Sequence, residues 1–179
     1  MSRFVFTPTA VDGVFTVDIK RHADERGWFA RGFCSEDFKN AGLCGSFLQA
    51  NLSFNHAAGT LRGMHWQDAP HSEVKVVRCT RGAIYDVALD LRRSSPTYLQ
   101  WTGVELSEDN ARSLYIPEGC AHGYLTLVPG AEVHYLVSAF YAPTHDCGAR
   151  WDDPAFNIAW PEKPQVISAR DQEHPLWQA

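Results

Sequence analysis

The sequence has no long apolar run: no stretch approaches the roughly eighteen consecutive apolar residues of a membrane span, and no basic segment followed by an apolar one opens the chain. These absences argue against a membrane association and against export. No C-x-x-C pair occurs either. The five cysteines, Cys34, Cys44, Cys79, Cys120 and Cys147, are odd in number and well separated, which speaks against a disulfide framework or a zinc ribbon and for a reducing, cytoplasmic setting. Basic runs are missing too, with 16 Lys and Arg against 21 Asp and Glu and a net charge of −5. Nucleic acid is therefore not an expected partner, and an anionic ligand would fall to individually placed arginines. What is present is 179 residues at 45% hydrophobic content, enough for one sizeable core and short for two, so residues 1–179 read as a single domain.

From about residue 44 onward, short β-branched and aromatic runs alternate with turn residues: VKVVRC (74–79), AIYDVALDL (83–91), TYLQWTGVEL (97–106), RSLYIP (112–117), HGYLTLV (122–128) and EVHYLVSAFY (132–141). Only two segments read as helical, Glu36 to Ala41 capped by Ser35 and a short turn after Ser168. The pattern predicts an all-β core with short flanking helices. Alternation along a strand places Tyr135 with Val133, Val137 and Ala139 on an apolar, inward face. It also sets Asp86 between Ile84 and Ala88, opposite an apolar face of Tyr85, Val87, Leu89 and Leu91. Such a strand needs a covering sheet or subunit, and its aspartate is either solvated or lines a polar cavity.

The densest chemistry lies in LRGMHWQ (61–67), where Arg62 and His65 stand three apart beside Gly59 and Gly63, glycines that permit a close backbone or ligand approach. The segment IPEGCAHGY (116–124) has the P-x-G-x-x-H spacing of the second cupin motif, ending at His122. A metal-loaded cupin carries His-x-His in its first motif, whereas His65-Trp66-Gln67 supplies one imidazole and an indole with no lone pair for a metal, so no metal is expected. Taken singly, the other candidates read as ordinary residues: Lys75 as an outward strand lysine, Tyr135 as a core aromatic, Asp171 as a helix-end charge, and the remaining histidines as surface or packing groups.

Together the segments resemble the dTDP-4-dehydrorhamnose 3,5-epimerase family. The resemblance runs through DERGWF (24–29), QANLS (49–53), LRGMHWQ (61–67), KVVRC (75–79), YDVALDLRRSSPTY (85–98), GVELS (103–107), LYIPEGCAHGY (114–124), YAP (141–143), WDDP (151–154) and SARDQ (168–172). It implies a double-stranded β-helix (jelly-roll, cupin-like) that forms a homodimer by exchanging N-terminal strands. It further implies that His65 is a general base with Asp171 as its carboxylate partner, Tyr135 the proton donor and Lys75 the group at a ketone oxygen. By the same resemblance, Arg62 binds a diphosphate, His122, Asp86 and Tyr141 are pocket positions, and Arg26, Gln49, Asn51 and Arg170 contact the nucleotide, with Arg26 reaching the partner's pocket. Phe29, Arg31 and Asp146 complete the implied substrate-binding set.

The implied substrate is a nucleoside-diphospho-4-keto-6-deoxy-hexose inverted at carbons 3 and 5. Proton removal beside a ketone needs a stabilised enolate oxygen and a base near neutral pH, and an unperturbed imidazole titrates at about 6.5. No cofactor is required. The sequence departs from the family where Arg31 replaces a Glu, Gln49-Ala50-Asn51-Leu52 replaces Gln-Asp-Asn-His, Leu136 replaces a Lys and Trp66 a smaller aromatic. These changes leave open the nucleobase (dTDP, GDP or CDP) and whether the chain is a mono-epimerase; the alternative readings are a 3,4-ketoisomerase and a non-catalytic sugar-nucleotide binder.

Overall fold

Branched and aromatic runs cut by turns pair into two antiparallel sheets laid face to face, seen in a computed structural model that describes residues 3–178. In chain order the strands are β1 Phe4–Pro8, β2 Phe15–Ile19, β3 His22–Asp24, β4 Gly27–Phe29, β5 Gln49–Asn55, β6 Thr60–Gln67, β7 Lys75–Arg81, β8 Ala83–Asp90, β9 Trp101–Ser107, β10 Ser113–Ile116, β11 Cys120–Thr126, β12 Ala131–Val137, β13 Asp146–Gly148 and β14 Val166–Ile167. The helices are α1 Ser35–Asn40 and α2 Ala169–Glu173. One sheet runs β1-β2-β10-β7-β12-β5 and the other β13-β6-β11-β8-β9, with β14 added parallel to β6 and β3-β4 standing apart as a hairpin. This is the all-β, cupin-like double-stranded β-helix that the sequence led us to expect. Among the described residues no helix is long and apolar enough to cross a membrane.

The inner faces of the two sheets bury Val77, Leu114, Ile116 and Val133 against Ile84, Ala88, Leu106 and Tyr124. Outside the first sheet, Phe38 of α1 packs on Phe4, Val76 and Tyr115. The second apolar face of β8 is covered from within the chain, without a sheet. Val87 and Leu89 instead lie under the C-terminal segment, against Ala149 and Phe156 with Trp160 and Trp177 beside them.

Several boundaries differ from the sequence reading. Four strands precede residue 44, two of them integral to the first sheet. β9 begins at Trp101 because residues 97–100 form a turn, with the hydroxyls of Ser95 and Thr97 donating to the buried Asp90 carboxylate at 2.5 and 2.7 Å. β12 stops at Val137, where the Ser138 hydroxyl accepts from the Val74 amide at 2.8 Å. Ser35 is the first helical residue; the N-cap is Cys34, which makes no side-chain cap bond. Ser168 does cap α2, accepting from the Asp171 amide at 3.1 Å.

Candidate active site

The sheets part at one end around a cavity of 530 Å³ whose lining includes Arg62, His65, Lys75, His122, Tyr124, Tyr135, Arg170 and Asp171. A smaller recess of 230 Å³ shares His65, Lys75, Tyr135 and Arg170 with it and adds Gln49, Asn51, Gln67, Glu73, Tyr141 and Asp146. Lys75 and Tyr135 come from β7 and β12 of the first sheet, while Arg62, His65 and His122 come from β6 and β11 of the second. Imidazoles and phenol thus stand on opposite walls.

Residues three apart on a regular strand point to opposite faces, yet Arg62 and His65 both reach the cavity. The reason is a bulge: His122 pairs with His65 and Tyr124 with Arg62, so two steps on β11 match three on β6. Gly63 sits in the bulge at φ 121°, and a Cβ there would lie 2.5 Å from Gly123 Cα, so only glycine lets the two backbones close. This is the close approach the glycine suggested, and it is to backbone.

His65 Nε2 meets Asp171 Oδ1 at 2.6 Å, and the Gly63 amide donates to the other carboxylate oxygen at 3.3 Å. Burial works against the charge of Asp171, but the bond and charge of His65 and the Gly63 amide hold its carboxyl below the usual range. With Nε2–H donated to a carboxylate, Nδ1 is the nitrogen that can accept a proton. His122 Nε2 likewise meets Asp86 Oδ1 at 2.8 Å. Asp86 is fully buried beneath His122, so it touches the cavity only through that ring and is neither solvated nor a lining residue.

Lys75 is buried at 8% exposure, which overturns its reading as an outward strand lysine. Its ammonium lies 3.0 Å from Glu73 Oε1, and Gln67 donates to Glu73 Oε2 at 3.2 Å. The Tyr135 hydroxyl makes no hydrogen bond among the described residues. Burial, and then the neighbouring Tyr124, push its pKa up, against Arg62, so the phenol keeps its proton at neutral pH. Arg62 Nε donates to Asn55 Oδ1 at 2.8 Å, which leaves both terminal nitrogens for a planar, doubly bonded anion. At the mouth, Arg170 and the Tyr141 hydroxyl both bond Asp146 Oδ2, at 2.7 and 2.8 Å.

Most of the predicted set therefore converges on one place. Arg26, Phe29 and Arg31 do not: they lie exposed on and after the β3-β4 hairpin, away from both cavities, with Arg26 paired to Asp24 at 2.5 Å. Glu73, Tyr124 and His174 escaped the sequence reading. Tyr124 sits two residues from His122 on β11, the spacing that shares a strand face, so that signal was available, whereas Glu73 precedes β7. His174 is part-buried with its Nε2 3.9 Å from Asp171 Oδ1, at the i, i+3 spacing of a short helix.

A cavity with an imidazole-carboxylate pair on one wall and a phenol and ammonium on the other defines a cupin-like protein able to exchange protons with both faces of one bound ligand. Residues 8–179 match the sequence profile of dTDP-4-dehydrorhamnose 3,5-epimerase, and the chain belongs to that family. It is 44% identical to the dTDP-4-dehydrorhamnose 3,5-epimerase of Methanothermobacter thermautotrophicus, over 96% of this chain and 94% of that protein. It is 37% identical to the dTDP-4-dehydrorhamnose 3-epimerase of Streptomyces niveus, over 93% of this chain and 80% of that one. The crystal structure of the Bacillus anthracis 3,5-epimerase with TDP and PPi bound superposes at a TM-score of 0.94 and 38% identity, covering 97% of this chain and 99% of that one.

Proposed function

We propose that this chain, a single unit over 1–179, inverts carbons 3 and 5 of a nucleoside-diphospho-4-keto-6-deoxy-hexose, converting dTDP-4-dehydro-6-deoxyglucose to dTDP-4-dehydrorhamnose. The observation that carries the reading is the opposition of His65 and Tyr135 across one cavity, since inversion needs a base on one face of the sugar and an acid on the other. His65 Nδ1 takes the proton from carbon 5, and the C–H electron pair moves into an enolate with the carbon 4 oxygen. The Lys75 ammonium, itself buried beside the cavity, stabilises that oxygen. Asp171 holds the ring in the proton-accepting tautomer and stabilises the imidazolium. The Tyr135 hydroxyl then delivers a proton from the opposite face, and both groups re-equilibrate with solvent before the same pair acts at carbon 3.

Arg62 and Arg170 hold the diphosphate; Gln49, Asn51, Tyr141 and Asp146 border the recess that takes the rest of the nucleotide. Arg26, Phe29 and Arg31, displayed on and just after an exposed hairpin, serve the site of a second copy in a cytoplasmic homodimer. Proton NMR of the protein with dTDP-4-keto-6-deoxyglucose in deuterated water tests the reading. Loss of the signals at both carbons supports it, and no loss with dTDP, GDP or CDP sugars refutes it. A second reading, inversion at carbon 3 alone, is favoured by the likeness to the 3-epimerase of Streptomyces niveus and is read from loss of the carbon 3 signal only.

A further inference from the structure

The carboxylate behind His65 has a second imidazole beside it that the reaction does not use. His174 Nε2 lies 3.9 Å from Asp171 Oδ1, is shielded from solvent and has no hydrogen-bond partner among the described residues. Its seat is built. Gly148 of β13 pairs in register with His65, and a Cβ on Gly148 would fall 2.1 Å from His174 Nε2, so the missing side chain is what admits the ring. The donor atoms of His65, Asp171 and His174 all lie within 4.8 Å of one another, with His65 Nε2 and Asp171 Oδ1 at 2.6 Å. Zinc bonded at about 2.0–2.1 Å to tetrahedral nitrogen and oxygen ligands sets them roughly 3.3 Å apart, a value between the 2.6 and 3.9 Å found here. Two imidazoles and one carboxylate suit zinc, cobalt or nickel and do not suit magnesium, which takes oxygen. Asp146 pairs with the nearby Arg170 at 2.7 Å and offsets part of that arginine's charge.

We propose that His65, Asp171 and His174 form an inhibitory site for a divalent transition-metal ion such as zinc, set on the carboxylate-imidazole pair itself. Coordination at His65 Nε2 requires that nitrogen to give up its proton, and a neutral imidazole then carries its one N–H on Nδ1. The nitrogen that would accept the substrate proton is thereby blocked, and the metal takes the carboxylate that oriented the ring. The binding itself does not depend on the proposed epimerase reaction; the inhibition does.

Chelator-stripped full-length protein is titrated calorimetrically with zinc chloride, alongside His174→Gln and, as a control for the stacked pair His71 and His145 (ring centroids 4.5 Å apart), His71→Gln. Removal of an outer partner of a metal ligand costs about 10–100-fold in affinity, so loss of a ligand should cost at least that. One equivalent bound by the wild type, at least tenfold weaker binding in His174→Gln and unchanged binding in His71→Gln support the site. Equal binding by wild type and His174→Gln, or loss in His71→Gln, overturns it. Circular dichroism establishes that each variant folds, and cobalt(II) gives a second readout: a tetrahedral visible absorption in wild type that His65→Asn abolishes. Zinc, and not magnesium, should suppress deuterium exchange into the keto sugar, with reversal by chelator. If zinc binds through His174 while no keto sugar exchanges, the epimerase reading fails and the metal site stands.

Discussion

The two walls of the cavity are built on different electrostatic plans. On the second sheet each imidazole has a buried carboxylate behind it, Asp171 for His65 and Asp86 for His122. On the first sheet the Tyr135 hydroxyl has no carboxylate and no hydrogen-bond partner among the described residues, and only Lys75, already a cation, is matched by Glu73. The difference fits the charge that His65 and Tyr135 would carry in the proposed reaction. An imidazole that gains a proton needs a negative charge waiting, because that interaction strengthens as the charge develops. A phenol that must begin neutral is better served by burial, which disfavours its anion.

The largest expected effect comes from breaking the charged wall at its centre. His65→Ala should lower deuterium incorporation at both carbons by about 10³–10⁴-fold, the upper part of the range for general base catalysis, with the fold retained by circular dichroism. Tyr135→Phe removes one oxygen from the opposite wall and should cost about 10²–10³-fold in inversion while exchange persists, because His65 can return a proton to the face it came from. The two walls have their roles reversed if Tyr135→Phe abolishes exchange and His65→Ala does not.

The carboxylates sharpen the contrast. Asp171→Asn leaves a hydrogen-bonding group of the same shape behind His65 and removes its charge, so kcat should fall about 10–100-fold with little change in KM, as for outer partners of functional imidazoles elsewhere. Glu73→Gln should cost less than Asp171→Asn, since Lys75 is charged before the reaction starts and also lies 3.5 Å from the His65 carbonyl. Equal losses in the two variants would remove the asymmetry on which this argument rests.

How much of this was legible in the sequence depended on whether the signal was local. The inward face of Tyr135 followed from alternation with Val133 and Val137, and the partner that Asp86 required was present as His122. The common face of Arg62 and His65 was not predictable by the same rule, because a bulge visible only in the pairing with β11 adds one residue between them. Lys75 read as an outward lysine until the opposing sheet closed over it. The N-terminal strands FVFTP and FTVDI are five residues each, and the pair enters the first sheet only where FTVDI joins β10, far along the chain. Asp171 and His174 meet His65 across more than one hundred positions, and no local pattern encodes such a contact.

The smallest effect tests the walls through stability. Burial, then the charge of His65, lower the pKa of His174 in spite of Asp171, while burial and Arg78 lower that of His134 on the outer side of the first sheet. A histidine whose folded pKa is depressed binds fewer protons folded than unfolded. Its contribution is complete above the unfolded value of about 6.5 and is lost as pH falls through that value towards the folded one. Asp171, also depressed, contributes fully above about pH 4 and loses its share only below, as pH falls through its lowered folded value. Thermal melts between pH 7.5 and 5 should therefore fall in two additive parts. His174→Gln should flatten one and His134→Gln the other, each by no more than about 2–4 °C, the shift that roughly 1 kcal/mol produces in a chain of this size. A wild-type Tm that stays level to pH 5 would mean that neither ring is buried as a neutral imidazole. A slope removed wholly by His134→Gln would place the acid sensitivity on the outside of the first sheet and leave the carboxylate-backed wall insensitive above pH 5.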